Sequence, residues 1–377
     1  VETAMMGKVA EYSKEKLSSL LFETISFIKE DGGFSKKNLK IIKSKGGNID
    51  DSFIVKGIVL DKNPANSNME KVYIDPKILL VDFPLEVPEL DTDAKINLNS
   101  LEEYEAFINN EKEFLRTIVY KIKQIGTKVI ICQKGIDDGV AYYLAKEGIL
   151  AIRRTKKSDM EKLSLAINSP IISNIDDLLE ENLGFCKKVE VKEIQNEKYI
   201  FIEDCPNPKA VSLFLKASNM HTLDELDRAI EDSLGDLNSI IKSKRIVAGG
   251  SSIEMALYTN LIKYSKSLEG KESLIAKTYA ESFLEIPKVL CENCGFDEIE
   301  TISSLTLLHE TGKNKSGLNG FEGIVEDTSK IGIIEPINVK EQAIKSALEA
   351  CASILRIDDI IAAKKLKEDK IIEKSWD

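Results

Sequence analysis

Asp227, Glu231 and Asp232 fall in one run, Asp227-Arg-Ala-Ile-Glu-Asp-Ser-Leu, and a glycine turn, Val247-Ala-Gly-Gly-Ser-Ser, follows it. A carboxylate beside closely approachable backbone suits one task in particular, orienting a water next to a phosphate. The carboxylate accepts the water's hydrogen bond, and the glycines let a ligand come near the main chain. The same residues also read as a solvated acidic helix face followed by an ordinary turn, and residue types alone favour that plainer reading. A second candidate is Cys291-Glu-Asn-Cys294, which has the spacing of a redox or zinc half-site. A structural zinc site needs a second ligand pair, and neither His221 nor His309 stands at a matching spacing. The two cysteines therefore read as small buried thiols, and no metal site is expected.

The elements that position these residues follow from hydrophobic period. Leu223, Leu226, Ile230, Leu234 and Leu237 recur at spacings of three and four, which predicts a helix over Thr222–Lys242 with Asp227, Glu231 and Asp232 off its apolar stripe. After the glycine turn a new helix opens, with Ser251 three residues ahead of Glu254 in a capping-box pattern. A helix from about Ala280 is expected to bend at Pro287 and stop at Gly295. Ser316-Gly-Leu-Asn-Gly reads as a turn cluster, and Ile331-Gly-Ile-Ile-Glu-Pro precedes a long helix, Val339–Leu355. Upstream, Lys8–Glu30 reads as a helix with Val9, Tyr12, Leu17, Leu20 and Leu21 on its apolar side.

Between these ends lies an alternating region. Lys128-Val-Ile-Ile-Cys is a predicted strand, Ile136–Lys146 a helix stopped by Gly148, and Ile149–Arg153 a second strand. Ser158–Ala166 is then a capped helix and Ile171-Ile-Ser a third strand, which makes a parallel α/β pattern. The first strand-to-helix turn, Gln133-Lys-Gly-Ile-Asp, lacks G-x-G-x-x-G, which argues against a dinucleotide site there. Val211–Leu215 reads as a short strand. An unrelated α/β enzyme is the reading this alternation alone suggests, but it comes without a cofactor fingerprint or a nucleophile–base pair.

The stretch carrying Asp232 resembles the group II chaperonins, the thermosome and CCT type, whose pattern runs E-R-A-h-x-D-A-h and then V-A/P-G-G-G-A-h-E. Asp232, Gly249 and Gly250 match that pattern, while Asp227, Ser233 and Ser251 stand where it has Glu, Ala and a third Gly. Segments along the chain are similar in order and spacing, among them Gly46-Gly-Asn-Ile-Asp-Asp, Gly57-Ile-Val-Leu-Asp-Lys, Ile130-Ile-Cys-Gln-Lys-Gly-Ile-Asp and Leu355-Arg-Ile-Asp-Asp-Ile-Ile-Ala-Ala. Val1-Glu-Thr-Ala-Met-Met-Gly-Lys resembles a segment well inside a family member, so the N-terminal half of the ATP-binding domain is expected to be missing. The family's Gly-Asp-Gly-Thr-Thr phosphate loop is absent, and so is any Walker-type loop.

What the resemblance implies is a multi-domain α/β protein in four segments. Residues 1–56 and 209–247 would form a small α/β intermediate domain, and 57–208 an α/β apical domain that holds unfolded polypeptide and carries a helical protrusion. Residues 248–377 would form the C-terminal half of a mostly helical equatorial domain that binds ATP with Mg²⁺. Asp232 would activate the water, and Gly249 and Gly250 would line the nucleotide. Gly317, Asn319, Gly320 and Glu335 would contact its base and ribose, with Asn319 standing where the family usually has Asp; a carboxylate such as Glu335 can accept hydrogen bonds from ribose hydroxyls. The protrusion is expected near Leu85–Ile108, with Leu85, Val87, Leu90, Ile96 and Leu98 as exposed apolar contacts for unfolded chains, and the Leu101–Ile125 helix as a second surface. His309 matches a family histidine and is assigned no catalytic role. The implied protein is a cytoplasmic, ATP-hydrolysing chaperone in a homo- or hetero-oligomeric, lidded double ring. The rival reading is a truncated fragment that binds polypeptide without turning over ATP.

Composition agrees with this. The chain of 377 residues is long enough for two or three domains. A net charge of −11 argues against general nucleic-acid binding, and no apolar run reaches the ~20 residues of a membrane helix.

Overall fold

The chain folds as two units, Val1–Lys242 and Ser243–Asp377, and the computed structural model describes residues 1–30, 32–86, 101–206 and 208–358. In the first unit, helix α1 (Lys14–Ile28) buries Leu17, Leu20, Leu21, Ile25 and Ile28 along one face. It starts later than its composition suggests: Val9–Ser13 is a single 3₁₀ turn, and Tyr12 is 95% exposed. Continued as a helix, this segment would carry Tyr12 to the face opposite Leu17, so no apolar stripe holds it in register.

Strands β1 (Leu39–Lys45) and β2 (Phe53–Val55) precede a long insert. Within the insert come β3 (Ile58–Leu60), β4 (Val72–Ile74), β5 (Lys77–Val81), α2 (Leu101–Gln124), β6 (Val129–Cys132), α3 (Asp138–Lys146), β7 (Leu150–Ile152), α4 (Lys157–Ile167), β8 (Ile171–Ile172), β9 (Gly184–Phe185), β10 (Lys188–Ile194) and β11 (Glu197–Glu203). The chain then returns as β12 (Val211–Ala217) and α5 (Met220–Ser243). β12 lies between β1, to which it is parallel, and β2, to which it is antiparallel. The apolar stripes of α1 and α5 join this sheet in one core that includes Leu21, Leu213, Leu226 and Ile230.

Inside the insert the parallel pattern is present. β6 pairs β7 and β5, β8 pairs β5, a strand absent from the sequence reading, and β9 adds to β5 antiparallel. Ile78–Val81, Val129–Cys132 and Leu150–Ile152 have zero exposure, as strands covered on both faces must. A second sheet, antiparallel in the order β3-β11-β10-β4, has no counterpart in the sequence expectations.

Leu85 corrects one expectation. It has zero exposure and sits in the insert's core, its N–H donating to the Gly135 carbonyl and its carbonyl accepting from Asp137. It pairs with Ile136 as an extension of the sheet, so its side chain is packing and not an exposed contact. Val87, Leu90, Ile96 and Leu98 lie outside the described residues.

The second unit contains β13 (Ile246–Ala248), α6 (Ser252–Ser265), α7 (Gly270–Ser282), α8 (Glu285–Cys294), α9 (Glu298–Glu310), β14 (Ser316–Asn319), β15 (Ile324–Asp327), β16 (Ile334–Pro336) and α10 (Ile337–Leu355). The helix expected to bend at Pro287 is two helices. Pro287 lies in the first turn of α8, where its missing N–H leaves no hydrogen bond unmade. Gly295 ends α8 at φ +74, as expected of a left-handed cap. Ser316–Asn319 is not a turn but a strand paired antiparallel with β15. No helix among the described residues is long and apolar enough to cross a membrane.

Candidate functional site

Helix α5 buries Leu223, Leu226, Ala229, Ile230 and Leu234, which turns Asp232 to the opposite face. Its side chain is 61% exposed and takes a hydrogen bond at 2.7 Å from Lys8 Nζ, on the segment ahead of α1. One turn on, burial pushes the Asp236 carboxyl up, and the neighbouring charge of Asp232 adds to the shift. Asp227 is held differently. Lys43 of β1 bridges Asp227 at 2.7 Å and Asp224 at 2.9 Å, and these hydrogen bonds raise the lysine's pKa. Glu231 is fixed through its backbone, whose carbonyl accepts from Lys36 Nζ at 3.0 Å. Asp232 is thus an outward carboxylate oriented by one lysine from another segment.

In the second unit, β13 pairs β16 with Val247 opposite Glu335, and the Gly249 N–H donates to the Ile333 carbonyl at 2.9 Å. The chain then turns through two left-handed residues, Gly250 at φ +63 and Ser251 at φ +63, into α6. A Cβ on Gly250 would stand 2.5 Å from the Leu318 carbonyl oxygen, and one on Gly317 would stand 2.6 Å from the Gly249 carbonyl oxygen. Backbone therefore packs on backbone, tied by Leu318 N–H donating to the Gly250 carbonyl at 2.8 Å. Thr328 closes the arrangement by donating its hydroxyl to the Gly249 carbonyl at 3.0 Å.

Gly249, Gly250, Gly317 and Glu335 are brought together: a Cβ on Gly249 would stand 3.0 Å from Glu335 Oε1. Asn319 and Gly320 serve the far end of β14. The Asn319 side chain donates to Glu326 at 2.9 Å and accepts from the Phe321 N–H at 3.1 Å, while Gly320 backs onto Cys294 Sγ.

The capping box expected at Ser251 is not formed. Ser251 makes no side-chain cap, and Glu254 instead pairs with Lys340 of α10 at 2.8 Å. Lys340 also reaches Glu335, at 2.7 Å. Burial alone would lower the Lys340 pKa, but the hydrogen bonds to both glutamates outweigh it and raise it. The first turn of α6 is left without a side-chain cap, so its free N–H groups face whatever approaches the glycine turn, an arrangement suited to an anion.

His309 is 2% exposed, with Nε2 at 2.8 Å from the Ser316 carbonyl, and burial lowers its pKa. A neutral imidazole whose Nε2–H donates to that carbonyl pins β14 to α9. Cys291 and Cys294 are free thiols, and no group of three or more His, Cys, Asp or Glu among the described residues could hold a metal.

Sequence reasoning missed Lys8, Thr328 and Lys340. Asp232 lies 224 residues from Lys8 and Glu254 lies 86 residues from Lys340, and no local pattern announces such pairs.

Fold, glycine turn and outward aspartate together describe a known kind of molecule. The chain belongs to the TCP-1/cpn60 chaperonin family, whose model matches residues 1–365, and its function is that of a chaperonin, a molecular chaperone. It is 42% identical over 376 residues to the thermosome subunit of Pyrococcus horikoshii, a match spanning 99% of this chain and 68% of that protein. It is 41% identical over 362 residues to thermosome subunit alpha of Methanothermobacter thermautotrophicus, spanning 96% and 67%. A solved open-state monomer of a group II chaperonin from Methanococcoides burtonii superposes with a TM-score of 0.64 at 37% identity, covering 94% of this chain and 84% of that one.

Proposed function

We propose that the protein is an ATP-hydrolysing subunit of a cytoplasmic, lidded double-ring chaperonin that encloses unfolded polypeptides. In this reading residues 248–377 belong to the nucleotide-binding domain, 57–208 to the apical domain, and 1–56 with 209–247 to the intermediate domain. The observation that carries it is a glycine turn in which Gly250 leaves no room for a Cβ, opening an uncapped helix start; the outward Asp232 of the first unit, on the family's own pattern, supports it.

The residues fit the nucleotide. Gly249, Gly250 and Gly317 supply backbone that a ligand can approach, and Glu335 offers a carboxylate to hydroxyl donors. Asn319 and Gly320 would complete the base and ribose contacts from the end of β14. Mg²⁺, when bound, neutralises phosphate charge. Asp232 accepts a hydrogen bond from the attacking water and takes its proton, with Lys8 holding the carboxylate in one orientation.

Replacing Asp232→Ala in the assembled protein is expected to lower ATP turnover at least about 100-fold with nucleotide affinity unchanged, the usual scale for loss of a general base. Turnover and binding measured side by side decide it. Wild-type hydrolysis in the variant would remove Asp232 from the mechanism. Capture of unfolded protein by the wild type, without any turnover, would favour a binding-only role.

A further inference from the structure

A cavity of about 710 Å³ lies within the first unit, walled by β1, the residues after β3, the start of α4 and the β10–β11 turn. None of the residues assigned to the nucleotide reading lines it. Six lysines face three carboxylates there, Asp61, Asp159 and Glu197. Two of those carboxylates already have partners: Asp159 pairs with Lys40 at 2.9 Å, both side chains being 13% exposed, and Glu197 accepts the Tyr199 hydroxyl. Lys43 is taken by Asp224 and Asp227. Lys45, Lys62, Lys156 and Lys162 remain without an ion-pair partner among the described residues.

The cavity partly desolvates its lysines. Burial lowers the pKa of Lys40 and of Lys162; Asp159 opposes both shifts, and Lys162 lowers Lys40 further. One carboxylate is shared by two partly desolvated ammonium groups. The expected capped start of α4 is also absent: Lys156 is the N-cap, with no side-chain hydrogen bond to the first turn. Free backbone N–H groups and the positive helix end therefore add to the lysines. The volume falls within the roughly 300–1,000 Å³ of small-molecule sites.

We propose that this cavity binds a compact, multiply charged anion of the polyphosphate class, held by Lys62, Lys156 and Lys162 with the first turn of α4. Compact ammonium charges and helix-start N–H groups favour phosphate oxygens, and the cavity is too small for a folded partner. Bound there, the anion links the segment after β3 with the start of α4, and occupancy therefore stabilises the insert.

The probe is inorganic tripolyphosphate, titrated calorimetrically into the full chain. The expected result is saturable binding that weakens steeply with salt. In Lys62→Gln/Lys162→Gln the dissociation constant rises at least about tenfold while ATP affinity is unchanged. Neither lysine is in an ion pair, so the variant retains its fold, which a thermal melt without ligand verifies; Lys45→Gln alone gives a smaller loss in the same direction. Unchanged affinity in the double variant, or no saturable binding at all, overturns the proposal. The test is separate from the ATP reading, none of whose residues lines this cavity, and that reading survives any of these results.

Discussion

Asp232 meets Lys8 with side chains 61% and 37% exposed, whereas Lys340 is shared between Glu254 and Glu335 at exposures of 21%, 5% and 28%. The first pair sits in water, where screening and side-chain entropy leave an ion pair worth roughly 0–1 kcal/mol. Such a contact orients a carboxylate without fixing it. The second group is largely withdrawn from solvent and ties α6, β16 and α10 together, and Glu254 Oε2 is buried without a hydrogen-bond partner among the described residues. A buried, incompletely satisfied network is sensitive to the loss of any member. The first unit thus holds its proposed reacting group loosely, and the second holds its proposed binding wall rigidly.

The largest expected effect comes from breaking the rigid side. Lys340→Met leaves two carboxylates without their cation, and about 3 kcal/mol should be lost from the second unit in denaturant titrations, near the low end for buried pairs. Gly250→Ala comes next. Its Cβ would meet the Leu318 carbonyl at 2.5 Å on a backbone at φ +63, and a loss of about 2 kcal/mol is expected in the same assay.

A pH titration probes the same wall. His309 has a folded pKa below its ordinary 6.5, so the unfolded chain binds the proton more readily. Stability is therefore complete above about 6.5 and falls as pH drops from there through the folded pKa. His309→Gln should flatten that acid limb in melting curves. The smallest effect belongs to the loose side: Lys8→Ala should change stability by less than about 1 kcal/mol, while ATP turnover falls because Asp232 loses its orientation. Comparable destabilisation by Lys8→Ala and Lys340→Met would erase the distinction between the two sites.

Helix α5 was fully legible, because five leucine and isoleucine positions at helical spacing admit one face only and so place Asp232 outward. The glycine turn was legible as a turn, but its reason was not. The backbone contact that excludes a Cβ at Gly250 comes from Leu318, far along the chain. Ile78–Val81 went unread because a short, continuous apolar run fits a buried strand or a buried helix equally well. Leu85 was misjudged for a related reason. Acidic neighbours suggest a surface, yet its own backbone completes a pairing with the segment around Ile136. The order of the parallel strands also lay beyond local pattern, since β5 is separated from β6 by the whole of α2.

The strands flanking the insert carry a further consequence. The chain leaves at β2 and returns at β12, and these strands are neighbours in one sheet. Nearby, the Cys205 N–H donates to the Lys56 carbonyl at 3.0 Å and the Val59 N–H to the Ser212 hydroxyl at 3.0 Å. The two ends of the insert are thus fastened to each other before anything between them matters. For the parent sheet, everything from Gly57 to Pro206 is one long loop with closed ends, and the entropy of closing a loop grows only with the logarithm of its length. Selection can therefore lengthen, shorten or exchange that segment with little effect on the sheet that bears it. The parent sheet and the insert can change on separate evolutionary clocks.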